Sequence, residues 1–143
     1  MDRAWWSVYL SEVKEVFTGQ RVSPTRHIPQ VEHVNACGKN SGIGAILFAG
    51  AQGAKRIILL GYDAKAADGE HHWHGNHPEP LTNPAHYGRW QREFADVAKQ
   101  THHLQILNSS RDTALDCWPQ VPLEEALVYE SAPKPKPQTK EHA

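Results

Sequence analysis

Residues 40 to 63 read NSGIGAILFAGAQGAKRIILLGYD, and no other stretch restricts the possible folds as tightly. Asn40 and Ser41 stand where a helix cap belongs, because a side-chain oxygen there accepts from an otherwise orphaned backbone N–H. The small apolar residues that follow predict a helix over 41–53. Gly42 and Gly44 each cost about 1 kcal/mol of helix propensity relative to Ala, which is tolerable where the backbone must approach something closely. Gly50 fits a helix-packing position and Gly53 a helix end. Ile57 to Leu60 is an apolar run rich in β-branched residues, as in a strand covered on both faces. It leads into Gly61, Tyr62 and Asp63. The turn at residues 40–42 has free N–H groups and the positive end of a helix dipole, so it suits an anion. In an open α/β sheet ligands bind outside the carboxyl ends of strands, and Asp63 would lie at such an end.

The remaining chain supports the same alternation of helix and strand. Trp5, Trp6, Tyr9, Leu10, Val13, Val16 and Phe17 form an apolar stripe that predicts a helix over 2–17, capped by Asp2 and ended by Gly19. Residues 20–30, with Pro24 and Pro29, read as loop or extended chain, and Val31 to Cys37 as a short strand. After Asp63 comes a polar stretch of the kind that is functional or disordered when it interrupts a domain. A helix over 83–100 follows from the spacing of Tyr87, Trp90, Phe94, Val97 and Ala98. Leu104 to Leu107 reads as a strand running into Asn108 and Ser109, and 122–130 as a last helix opened by Pro122. Residues 131–143, SAPKPKPQTKEHA, carry nothing apolar to bury and are expected to be a disordered tail. Residues 1–130 would then form one domain.

Composition excludes several classes. The net charge is −1, so no basic field points to nucleic acid. Nowhere do about 18 apolar residues run together, so neither a membrane span nor a signal peptide is expected. Cys37 and Cys117 are far apart and lack metal-type spacing, a pattern that favours free thiols in a reducing compartment over a disulfide. A soluble cytoplasmic protein is the expectation.

The histidines concentrate in one place, as His71, His72, His74 and His77 of HHWHGNHP. His72, His74 and His77 resemble the HxHxDH zinc motif of metallo-β-lactamase-like hydrolases, in which the metal lowers the pKa of a bound water. Asn76 replaces the carboxylate of that motif, so one ligand is lost. The other readings are a polar loop whose histidines bond to backbone and water, and a loop that folds over a ligand with one histidine as acid or base. Asp63 can bind a ribose hydroxyl, hold Mg²⁺ through water, or cap a turn. Asn40 and Ser41 can be a helix cap alone. Asn108 and Ser109 would share the sheet edge of Asp63, as ligand contacts or as a turn. No Walker loop, GxGxxG or GxSxG is present.

NSG at 40–42, GAKRIILLGYD at 53–63, HWHGNHP at 72–78 and the strand ending in Asn108 together resemble a known pattern. It is that of phage-encoded relatives of the MptE-like hydroxymethylpterin diphosphokinases, some of them termed norphogenetic proteins. More remotely, the chain is similar to the sialyltransferases of glycosyltransferase family 42. The resemblance covers roughly residues 1–125. It implies that Ser41 and Gly42 contact the nucleotide of a donor, with Asn40 where a Thr is often found, and that His74 or His77 is a general base. It also implies a first strand with a Gly-Pro-Ser nucleotide turn, which nothing in this sequence matches.

The sequence therefore predicts a Rossmann-like, three-layer α/β domain with a small, mainly parallel sheet, incomplete at its amino terminus. The expected function is a nucleotide- or nucleotide-sugar-binding transferase, of glycosyl or diphosphoryl type, inactive if its first half-site is lacking. Asn40, Ser41, Gly42, Gly61, Asp63, Asn108 and Ser109 would bind nucleotide or substrate, with Mg²⁺ as a conceivable cofactor. His74 and His77 would transfer protons. The alternatives are a non-catalytic phage accessory or assembly protein, placed in the host cytoplasm and self-associating through the Trp5/Trp6 helix, and a zinc hydrolase using His72, His74 and His77.

Overall fold

The computed structural model describes residues 3–35, 38–66, 77–79, 81 and 87–128. It is a mixed α/β fold with the order α1 (Arg3–Val16), β1 (Val22–Ser23), β2 (Glu32–His33), α2 (Ser41–Ala51), β3 (Arg56–Leu59), α3 (Tyr87–Gln100), β4 (Gln105–Asn108) and α4 (Leu123–Val128). The strands form two parallel pairs, β1 with β2 and β3 with β4. Among the described residues no helix is long and apolar enough to cross a membrane.

The core follows from the register of β3 on β4, which sets Ile57 beside Ile106 and Leu59 beside Asn108. Strand alternation puts Ile57, Leu59 and Ile106 on one face. Ile43 and Ile46 of α2 and Phe94 and Val97 of α3 close over that face, together with Leu115 and Trp118. Packing decides the spacing of α2: a methyl group at Gly50 would stand 2.9 Å from Leu104 Cδ1. The helix ends at Ala51, two residues before the predicted 53. Gln52 caps it and Gly53 takes φ 90°, a left-handed conformation that glycine adopts without steric cost.

The opposite face of β3 departs from expectation. Arg56 and Leu60 are exposed and Ile58 is only half-buried, so this strand is not covered on both faces. The predicted strand from Val31 to Cys37 is reduced to Glu32 and His33, and Ala36 and Cys37 lie outside the described residues. Its partner β1 falls in the stretch read as loop or extended chain. Two-residue strands leave no apolar period in a sequence, and this pair is held by Glu32 N–H to Arg21 O (2.8 Å) and Val34 N–H to Ser23 O (3.0 Å). The connection between them takes left-handed turns at His27 and Gln30.

Arg3 pins α1 to that connection by donating to the carbonyls of Arg26 (2.6 Å) and His27 (3.3 Å). Trp6 is only 3% exposed, so it turns into the fold rather than outward, while Val16 and Phe17 at the end of the stripe are exposed. Trp5 is half-buried, with its ring centroid 5.1 Å from those of both Trp6 and Tyr9. α3 and α4 are described from Tyr87 and to Val128, so the predicted starts and ends at 83–86 and 129–130 lie outside the described residues, as does the tail at 131–143.

Candidate functional site

The amino end of α2 is built by three neighbouring residues. Gly38 packs so closely on Ile43 and Gly44 that a side chain there would collide with the first helical turn. Asn40 is the N-cap: its Oδ1 accepts from Ile43 N–H at 2.9 Å, the geometry that satisfies an orphaned helical donor. Its Nδ2 is buried and has no hydrogen-bond partner among the described residues. Lys39 and Ser41 flank it and are exposed.

These residues form one end of a cavity of about 430 Å³. Thr25, Gly38, Lys39, Asn40 and Ser41 give it a polar rim, and Val22, Val34, Ala45 and Phe48 an apolar wall. Its walls come from α2 on one side and from the β1–β2 pair on the other. A cavity with a basic, N–H-rich end and an apolar body suits a ligand with a phosphate at one end and a flat apolar group at the other.

The carboxyl ends of β3 and β4 lie side by side, since Leu59 is in register with Asn108. Gly61 follows with φ 69°, and beyond it Tyr62 and Asp63 turn back over the edge. Tyr62 joins this edge to α2 by donating its hydroxyl to Gly42 O at 3.2 Å. Burial pushes the Tyr62 phenol above its usual pKa. Its backbone N–H donates to Ser110 Oγ (2.7 Å) and its carbonyl accepts from Thr113 Oγ1 (2.6 Å). Asn108, 1% exposed, accepts from Ser110 N–H (3.0 Å) and donates to Thr113 Oγ1 (3.2 Å). Asp63 is half-buried, its carbonyl accepting from Ala114 N–H at 2.8 Å. Lys65 pairs with Asp112 beside it. The Ser109 hydroxyl is buried and has no partner among the described residues.

The structure thus links Gly42 through Tyr62 to the strand ends that carry Gly61, Asp63, Asn108 and Ser109, while of the seven expected binding residues only Asn40 and Ser41 line the cavity. It assigns Gly42 a specific neighbour: a methyl group there would meet the Tyr62 ring at 3.0 Å and Phe94 at 3.2 Å. The close approach inferred from this glycine is made to the protein's own aromatic rings. His72 and His74 lie outside the described residues, and His77 is described and half-buried. Among the described residues no group of three His, Cys, Asp or Glu side chains stands close enough to hold a metal. Cys117 is a free thiol whose pKa is raised by burial and by the neighbouring Asp116 carboxylate, outweighing a backbone hydrogen bond that acts the other way.

Lys39, Thr25, Ser110 and Thr113 were not identifiable as site residues from spacing. Lys39 carried a usable signal, a cation directly before a helix cap. Thr113 carried none, because its role arises from contacts with Tyr62 and Asn108 far away in the chain. Comparison with protein-family models, with curated proteins and with solved structures found no match for this chain.

Proposed function

We propose that this chain is a Rossmann-like nucleotide- or nucleotide-sugar-binding domain of transferase type. One observation carries the reading: a cavity of about 430 Å³ that opens on the capped amino end of α2 and continues along an apolar wall. In this reading the phosphate lies against Lys39 and the N–H groups of Ser41 and Gly42, where the helix dipole favours negative charge. The base lies against Val22, Val34 and Phe48. Asp63, at the neighbouring strand end, takes a ribose hydroxyl or a water-bridged Mg²⁺, and His74 or His77 supplies proton transfer. The resemblance of NSG, GAKRIILLGYD and HWHGNHP to MptE-like proteins and family 42 sialyltransferases supports the same class.

One observation favours a non-catalytic reading as the alternative. Asn108, Ser110, Thr113 and Tyr62 are bonded to one another, so the polar groups of that edge already serve the fold. Titration calorimetry and ligand-observed NMR with CTP, CMP-sugars, ATP and GDP-sugars separate the two. The transferase reading expects binding to one of them that Lys39→Ala weakens about tenfold, the loss of one charge-assisted contact. Absence of binding to all four classes of ligand refutes it.

A further inference from the structure

The peptide joining Gly42 to Ile43 is hydrogen-bonded at both ends to side chains from outside α2. Its carbonyl, Gly42 O, accepts from the Tyr62 hydroxyl at 3.2 Å, and its N–H, on Ile43, donates to Asn40 Oδ1 at 2.9 Å. A trans peptide is planar, so these two groups turn together as one rigid piece. A donor on the carbonyl also draws electron density from the nitrogen and strengthens the N–H opposite, by about 10–30% per bond.

Tyr62 is itself held from behind. Its N–H donates to Ser110 Oγ (2.7 Å) and its carbonyl accepts from Thr113 Oγ1 (2.6 Å). Asn108 holds both of those residues, accepting from Ser110 N–H (3.0 Å) and donating to Thr113 Oγ1 (3.2 Å). The Tyr62 ring meets that of Phe94 edge to face, centroids 5.8 Å apart. A path of hydrogen bonds, completed by one tyrosine side chain, therefore runs from Asn108 at the end of β4 to Asn40, which lines the cavity.

The cavity end of that path holds a choice. An N-cap side chain can accept from the second or the third helical amide, here Gly42 or Ile43. Asn40 takes Ile43, the amide that the Tyr62 hydroxyl strengthens. We infer that Tyr62 is a positioning residue for the cavity: through the peptide joining Gly42 to Ile43, its hydroxyl keeps the Asn40 cap on Ile43 N–H and so leaves Gly42 N–H to a phosphate. The inference rests on the phosphate-binding reading of the cavity, and it gives Tyr62 a part in that site without contact with the ligand. By reciprocity, a ligand that engages Gly42 N–H is felt at the strand end that carries Asp63.

Amide NMR spectra of the full chain test this, with inorganic phosphate as the probe. Tyr62→Phe keeps the ring and removes only the hydroxyl. Without phosphate, this variant is expected to move the Ile43 amide proton upfield and the Gly42 amide proton downfield, as the cap divides itself between them. Thr113→Val, which frees the Tyr62 carbonyl, is expected to move the same two amides in the same directions by less. With phosphate, the wild type is expected to show shifts at Gly42 and also at Ser110 and Ala114, whose N–H groups belong to the strand end. Tyr62→Phe is expected to weaken phosphate binding about fivefold and to confine the shifts to the cavity. Gly42 and Ile43 amides that stay in place in both variants overturn the inference, whatever phosphate does. Phosphate shifts that reach Ser110 and Ala114 undiminished in Tyr62→Phe overturn it as well. If both amides move as expected and the wild type binds no phosphate, the link from Tyr62 to Asn40 stands and the phosphate-binding reading of the cavity falls.

Discussion

The hydroxyl of Tyr62 donates to the backbone carbonyl of Gly42 across 3.2 Å, tying the end of β3 to the first turn of α2. A Cβ at residue 42 would stand 3.0 Å from the Tyr62 ring and 3.2 Å from the Phe94 ring, so both rings would have to shift to make room for it. Gly42→Ala should therefore destabilise the fold by about 1–2 kcal/mol, the overpacking cost exceeding the gain in helix propensity. Urea denaturation measures it; a stabilised variant would show that the rings move aside freely.

The same phenol sets an alkaline limit on stability. Its pKa is raised by burial, so the folded state keeps a proton that the unfolded chain loses above about pH 10. The unfolded state then binds fewer protons, and stability is full below that pH and falls as pH rises toward the folded value. Thermal melts from pH 9 to 11 should show this fall, and Tyr62→Phe should flatten it. Absorbance at 295 nm should lose its latest-titrating phase in the same variant.

Asn108 is buried with both ends of its carboxamide in use, on Ser110 N–H and on Thr113 Oγ1. Asn108→Ala leaves those groups without their partner at the heart of the strand-end clasp. A loss of about 2–3 kcal/mol is expected by denaturant titration, from the missing bonds and the stranded polar atoms. A change below about 0.5 kcal/mol would mean that water replaces the side chain.

Two glycines with open surroundings should respond in opposite directions. Neither Gly61 nor Gly88 has anything within 4 Å of an added Cβ, so crowding plays no part. Gly61 has φ 69°, and Gly61→Ala should cost about 1–2 kcal/mol through left-handed strain alone. Gly88 lies in the first turn of α3, and Gly88→Ala should stabilise by up to about 1 kcal/mol. Paired melting curves of the two variants decide it.

The elements legible in the sequence are those whose determinants are local. Asn40 announces α2 because a cap acts on a residue three places along, and Phe94 and Val97 announce α3 by helical spacing. The apolar run of β3 was equally plain, but its second covered face was not a property of the run. Whether Ile58 is covered depends on what lies across the sheet, and nothing local encodes that. Of the β1–β2 pair, β2 fell inside the strand expected over 31–37, but neither its two-residue length nor its pairing with β1 was legible, because two residues show no alternation. At the site, the gathering of Gly42 with Gly61 and Asp63 could be expected from topology, since strand ends and helix starts share an edge. The agent of that gathering, the Tyr62 hydroxyl, could not, because its partner is a backbone carbonyl in another element.

Helix α2 is apolar around nearly its whole circumference, and both of its flanks are in use: Ile43 and Ile46 on one strand pair, Ala45 and Phe48 toward the other. Its free surface is confined to a few positions such as Ser41, Ala45 and Ala51, and a change at Ile43, Ile46 or Phe48 bears on one flank or the other. Any shift that relieves one flank is paid at the other, so sequence change here should arrive as coupled pairs, one residue from each strand pair.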